Sequence, residues 1–367
     1  MYLVVYSPEM TKLGIIDAID TLIWTRRFRT NGEMALKVPF SADANELLKN
    51  DNIVMIAGRS EAMQITYINI VKDTNGIDTI EAQGQSLLWW LNWRYMEPGI
   101  FSDTMTAQEI LNKIVSNVMG PTASDVRKID SIRLSGRAAY SELPAISYKT
   151  ERGVMSIDAV EALLGTSKLG VRVVTDAEAK THTFDFFFGR DLTDGSDEPC
   201  IFSVDFGNLG EQSFTQSTQN LKTVALVSGD GNALTVNNEL AGMARRELYV
   251  AAGDISEEWT DEDGNKHTIT FDEMLERLRQ RGREELEQNI AEKTFTGEIN
   301  RVGGLQYLHD FDIGDKVTCI DTRWGVKVDT TITEIMETYQ NKRETVTCTF
   351  GDGTPSLINR VKQLIRR

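Results

Sequence analysis

The sequence has little cysteine, proline or histidine, and each shortage narrows what the chain does. Its three cysteines, Cys200, Cys319 and Cys348, are odd in number and nowhere spaced as CxxC. That argues against a disulfide framework and against a cysteine zinc site, and it fits thiols kept reduced in the compartment of assembly. Seven prolines in 367 residues, with no low-complexity tract, leave no room for a long disordered region. No apolar run approaches ~18 residues, so no membrane-spanning helix is expected. Met1 to Tyr6 reads as a strand rather than as the basic and apolar regions of a secretory signal. The three histidines, His182, His267 and His309, do not fall at metal-ligand spacing with one another. HExxH, GxSxG, a phosphate loop and a GxGxxG between strand and helix are all missing. No catalytic, cofactor-binding or metal-ligating residue is therefore assigned, no cofactor is expected, and the chain is read as a non-enzyme.

What the sequence does have is acidity. It carries 55 Asp and Glu against 39 Lys and Arg, a net charge of −16. Such a surface repels phosphate backbones, so tight nucleic-acid binding is not expected. An acidic wall also suits a channel that must pass DNA without holding it. Local acidic clusters read as solvated loops. His309-Asp310-Phe311-Asp312 reads as a loop entering a strand, and Asp191, Asp194, Asp197 and Glu198 surround Gly195 in another. Asp261-Glu262-Asp263-Gly264-Asn265 fails as a calcium loop, because Lys266 stands where glycine is needed; it reads as a hairpin turn.

At a prior of one domain per ~150 residues, the length predicts two or three domains. The hydrophobic pattern predicts a predominantly β, α+β chain. Short alternating segments fill residues 1–84, and Met34, Leu36 and Val38 are the clearest of them. Ser86 to Met96 shifts to a helical period through Leu87, Leu88, Trp90 and Leu91, and Trp89, Trp90 and Trp93 cluster there. The plain reading is a helix plugging a barrel end; the functional one is a sugar platform or a subunit contact. Thr106-Ala107-Gln108-Glu109 opens a second helix as a capping box. A third is expected over Ser156 to Leu164, with Gly165 as its cap. Leu169 to Thr175 and Thr181 to Phe188 make a hairpin. Thr270-Phe271-Asp272-Glu273 opens a helix with a Phe271, Leu275, Leu278, Gly282, Leu286, Ile290 stripe, ending near Lys293. Thr354 and Pro355 start a C-terminal helix.

Asn50-Asp51, Ile53 to Ile56, Ile65 to Ile70 and Asp78 to Gly84 are echoed near the end of the chain. The echo runs through Gly314-Asp315, Val317 to Ile320, Thr331 to Ile335 and Glu344 to Gly351. The same turn-strand-loop-strand-turn-strand-glycine order predicts two related small β-barrels. The expected layout is a first barrel with its closing helix at 1–97 and an α+β domain at 98–198. The second barrel takes 199–238 and 295–353, a hairpin-plus-helix insertion takes 239–294, and a helix takes 354–367.

Leu22 to Phe28, Gly32 to Leu36 with Pro39, and Phe311 to Val317 together resemble the siphophage and prophage tail-hub family. So do Trp324-Gly325, Ile332 to Ile335, and Thr349 to Gly351 with Pro355 to Leu357. Val224 to Gly231 fits more loosely. The family resembles the N-terminal part of the tail-associated lysin and, in fold, the myophage baseplate hub. The resemblance implies a homotrimer whose six barrels form a ring at the virion tail tip, assembled in the host cytoplasm. The distal tail protein and tail tube would sit above it, a tip, fibre or lysin component below, and DNA would pass through. The chain stops near the second barrel, so the lysin activity of longer relatives is not expected. A tail-tip enzyme or carbohydrate-binding module acting on the cell wall is the alternative, resting on the tryptophan cluster. The equivalent hub of a contractile bacteriocin or injection machine is a third.

Overall fold

Alternation in the first third of the chain builds seven antiparallel strands: β1 (Leu3–Tyr6), β2 (Lys12–Ile16), β3 (Thr21–Arg27), β4 (Glu33–Pro39), β5 (Ile53–Ile56), β6 (Ala62–Lys72) and β7 (Asp78–Ser86). The computed structural model describes residues 1–351 except 73, 75, 103, 139, 141, 142, 147, 230, 254, 261–265, 301–303, 341 and 342. The expected C-terminal helix and the turn at 261–265 lie outside the described residues. The strands run β3-β4-β7-β6-β5-β1-β2 in space. Along β4 every second side chain is buried, and Met34, Leu36 and Val38 pack against Leu22, Trp24, Ile80 and Ala82. A six-residue helix not foreseen in the sequence, α1 (Ala42–Leu47), follows β4; the Ser41 hydroxyl caps it by accepting the Ala44 N–H at 3.0 Å. After β7, Leu87–Trp93 forms a 3-10 helix rather than an α-helix. It buries Leu87, Leu88, Trp90 and Leu91.

The middle of the chain is α+β. It contains β8 (Ile100–Ser102), α2 (Ala107–Val118), β9 (Ile132–Leu134), β10 (Tyr148–Thr150), α3 (Ser156–Ser167), β11 (Gly170–Asp176) and β12 (Thr181–Phe187). Both arms of the Thr106/Glu109 capping box form. The α3 helix runs through Gly165, and Lys168, at φ 60°, takes the left-handed position expected of the glycine. β11 and β12 pair as the expected hairpin, with β9 parallel to β12. Both helices and the 3-10 helix share one core with Met55 and Ala62 of the first unit.

The last part holds β13 (Asp191–Leu192), β14 (Ile201–Ser203), β15 (Leu209–Ser217), β16 (Val224–Gly229), β17 (Asn232–Val236), β18 (Glu247–Ala251), β19 (Glu258–Thr260), β20 (Lys266–Thr268), α4 (Phe271–Gln288), β21 (Glu292–Ile299), β22 (Lys316–Asp321), β23 (Val326–Gln340) and β24 (Arg343–Phe350). β14 pairs with β22 and β15 with β21. β16 and β17 do not join them; they form a separate sheet with β18, packed on α4. The excursion therefore leaves after Ser217 rather than at 239. The buried face of α4 is Met274, Leu278, Gly282 and Leu286, with Phe271 and Ile290 exposed. A Cβ on Gly282 would come within 2.8 Å of Val227 and Val236. Lys293 lies in β21, past the helix end.

Two closed barrels are not what forms. Among the described residues, fourteen strands make one continuous sheet, because β23 of the last part pairs with β3 of the first from Glu334–Arg27 to Gln340–Thr21. Within that sheet one strand order occurs twice: β3-β4-β7-β6-β5 and β15-β21-β24-β23-β22. The details recur as well. β6 and β7 slip register between Ile65 and Tyr67, and β23 and β24 slip between Ile332 and Glu334. Ile65 exchanges backbone hydrogen bonds with Asp51 and Asn52, and Ile332 does so with Gly314 and Asp315. Asp51 and Gly314 both have positive φ. Where the first set has the tight turn from β3 to β4, the second carries the excursion between β15 and β21.

Candidate functional site: the charged joint between the two strand sets

Leu22, Trp24 and Arg26 share one face of β3, since side chains alternate along a strand. The first two fill the core. Arg26 stands at the end of that face, 7% exposed, so its charge is largely withdrawn from solvent. Its guanidinium is neutralised within the fold. It lies 2.6 Å from Glu61 and 2.6 Å from Asp312, and it donates to the Tyr307 hydroxyl at 2.8 Å. Burial alone would lower its pKa; Tyr307, Glu61 and Asp312 instead hold it well above the ordinary value.

Opposite Trp24 on β23 is Glu337, fully buried. Arg59, from the β5–β6 loop, contacts it at 2.5 Å, and the Tyr307 and Tyr339 hydroxyls donate to it at 3.0 and 2.7 Å. Burial raises the pKa of both tyrosines, so they serve as neutral donors. On the other face, Arg27 bridges Glu33 and Glu334, each at 2.7 Å. The network thus draws on β3, β4, β23, the β5–β6 loop and the stretch before β22. An open cleft of about 710 Å³ adjoins it, lined by Arg26, Arg59, Glu61, Arg172 and Asp312 among others.

Every carboxylate in the joint is clamped by an arginine, and no serine, cysteine or histidine is part of it. That arrangement locks two strand sets together. A second fastening lies beside it. Phe28 N–H donates to Thr333 O at 3.0 Å, and Phe28 O accepts the Val171 N–H at 2.8 Å. Its ring lies against Gly170 and Gly314 and meets Phe187 edge-on at 5.7 Å. One residue therefore ties together all three parts of the chain.

The acidic clusters noted in the sequence take up structural roles. Asp310 accepts the Gln306 N–H and faces His309, Phe311 is fully buried, and Asp312 pairs with Arg26. Asp194 pairs with Lys327, and Asp191 accepts from Thr193. Among the described residues no group of acidic, cysteine or histidine side chains is set to hold a metal. No helix among them is long and apolar enough to cross a membrane. In the tryptophan cluster, Trp90 is buried, donates to Gln64 at 3.0 Å and stacks on Trp93 at 5.6 Å; Trp93 keeps an exposed face.

Trp90 also meets the edge of His182, a fully buried histidine 3.0 Å from the Thr175 hydroxyl. Burial pushes its pKa down to about 4 from an ordinary 6.5. The unfolded chain therefore binds the extra proton across that window. Stability is fully present above pH 6.5 and falls as pH drops toward 4, by about 3 kcal/mol from this residue. Urea unfolding of the native protein and of His182→Asn between pH 7 and 4.5 should show the native advantage shrinking with acid. Parallel pH profiles would refute it.

A family model described as "Siphovirus ReqiPepy6 Gp37-like protein" matches residues 2–352. No curated protein sequence matches. Solved structures share the fold, three of them over nearly the whole chain. A tail protein from Neisseria meningitidis has a TM-score of 0.60 at 12% identity, with 96% of each chain covered. The 43 kDa tail protein of prophage MuSo2 from Shewanella oneidensis has 0.60 at 12%, covering 95% of this chain and 97% of its own. A prophage tail protein from Listeria monocytogenes has 0.57 at 14%, covering 100% and 99%.

Proposed function

The chain belongs to the Siphovirus ReqiPepy6 Gp37-like protein family, and from that premise we propose that it is a structural tail protein, the baseplate hub. It works by assembly rather than by catalysis. The observation that carries this reading is the strand order that occurs twice in one sheet, joined by β3 and β23. A duplicated unit lets three copies present six similar faces, which suits a ring between a sixfold tube and a threefold tip. The likeness in fold to three tail proteins supports it. In this reading the homotrimer sits at the virion tail tip, below the distal tail protein and tail tube and above a tip, fibre or lysin component. DNA passes along its axis, and the −16 charge keeps the wall from holding it.

Native mass measurement at high protein concentration should give a trimer, and electron microscopy a ring with an axial opening. A strictly monomeric protein refutes the reading. A ring whose interior is basic refutes the non-stick wall.

A further inference from the structure

We infer that the outer edge of β6, from Tyr67 to Lys72, is the docking site for β15 of a second copy of this chain, paired antiparallel in one register. The inference rests on the ring reading and deepens it.

Both edges lack a strand partner among the described residues. β15 pairs only with β21, and β6 beyond Ile65 pairs only with β7. The usual protection sits at the strand ends and leaves the stretches between them open: β15 slips register between Leu209 and Gln212, and β6 carries its bulge between Ile65 and Tyr67 and ends in Lys72. Exposed edge strands carry lysine, proline or a bulge that prevents pairing. β15 reads Leu-Gly-Glu-Gln-Ser-Phe-Thr-Gln-Ser, with no lysine or proline. On β6, Tyr67 is 49% and Ile70 50% exposed.

The occupant and its register come from the joint inside the chain. There the outer strand of one set, β3, pairs antiparallel with the penultimate strand of the other, β23. Because the order occurs twice, β15 corresponds to β3 and β6 to β23. Phe214 corresponds to Trp24: each faces the strand residue, Phe295 or Met34, that in turn faces Phe350 or Gly84. Ile70 corresponds to Glu337: each lies three residues past the second residue of its bulge, facing Ile80 or Val346. Trp24 faces Glu337 in the joint. Transferring that register sets Phe214 opposite Ile70, Thr215 opposite Asn69 and Ser217 opposite Tyr67. Inside the joint the pair is a buried indole beside a carboxylate neutralised by Arg59; at the free edges it is two apolar side chains. The contact is head-to-tail, since each copy offers a β15 edge at one end of the sheet order and a β6 edge near the other. Repeated, it continues from copy to copy.

The test is an engineered disulfide in the full chain. Directly opposed antiparallel residues have Cα atoms ~4.5–5.5 Å apart, within disulfide reach. The native cysteines are all buried and do not compete. Asn69→Cys with Thr215→Cys, mildly oxidised, should yield covalently linked copies up to the trimer on a non-reducing gel. The out-of-register pair Lys72→Cys with Thr215→Cys should not. In a second variant, Ile70→Asp, the altered side chain is half exposed in the single chain; it should keep the native circular dichroism and melting temperature but lose the trimer. A trimer by native mass that neither cross-links in register nor responds to Ile70→Asp overturns the docking edge and leaves the ring reading standing. A monomer at high concentration overturns both.

Discussion

Replacing Arg26 by alanine should lower the unfolding free energy by about 3–4 kcal/mol, toward the lower part of what breaking a buried ion pair costs. The loss has two parts. The arginine stem packs in a nearly closed site, so truncation leaves a void. The Tyr307 hydroxyl, Glu61 and Asp312 lose their common partner. Glu61 and Asp312 are 26% and 34% exposed, so water recovers part of their solvation and the cost stays short of the maximum. Arg26→Met fills much of the void and should be the milder change. Both effects should weaken only in part in 0.5 M salt, because Arg26 itself is 7% exposed and partly buried pairs are screened less than surface ones. Urea denaturation gives the numbers; an Arg26→Ala protein within 1 kcal/mol of native stability would show that the joint holds nothing together.

That joint was invisible in the sequence although its pieces were not. Arg26-Arg27-Phe28 and Phe311 to Val317 both stand out as motifs, yet the contact between Arg26 and Asp312 spans most of the chain, and no local pattern encodes it. Glu337 sits in a strand rich in threonine and glutamate, where alternation reads as solvated; only its pairing with β3 buries it. Local chemistry was legible by contrast. Both Thr–x–x–Glu capping boxes form, because both partners lie within one turn. The β11–β12 hairpin and the echoed meander are local too, and both appear. α3 continues past the expected cap because an exposed Gly165 costs a helix only about 1 kcal/mol, and Lys168 accepts the left-handed turn. β16 joins β17 and β18 rather than the expected second barrel, because a buried strand's apolar run does not say which neighbour it hydrogen-bonds. The expected closed barrels failed for the same reason: an edge strand's partner lies outside its own sequence.

Gly170→Ala should destabilise the protein by about 3–5 kcal/mol, the range for losing a buried phenylalanine's packing. A Cβ at Gly170 would lie 1.8 Å from the Phe28 ring. The ring has little room to move: it is 2% exposed, Phe187 meets it edge-on at 5.7 Å, and Gly314 packs so closely that a Cβ there would lie 2.4 Å from the same ring carbon. Nor can the strand withdraw freely, because the Val171 N–H donates to Phe28 O. Phe28→Ala should cost a similar amount alone by opening a cavity between the three parts of the chain. The two changes should not add. With the ring gone, the methyl introduced by Gly170→Ala occupies vacated space, so the double variant should be about as stable as Phe28→Ala. Gly314 supplies the control. Its φ of +89° strains any side chain regardless of space, so Gly314→Ala should keep a penalty of ~1 kcal/mol or more in the Phe28→Ala background. Equilibrium unfolding of the four proteins in each cycle decides it. Additive losses for Gly170 and Phe28 would mean that the glycine answers to something other than the ring.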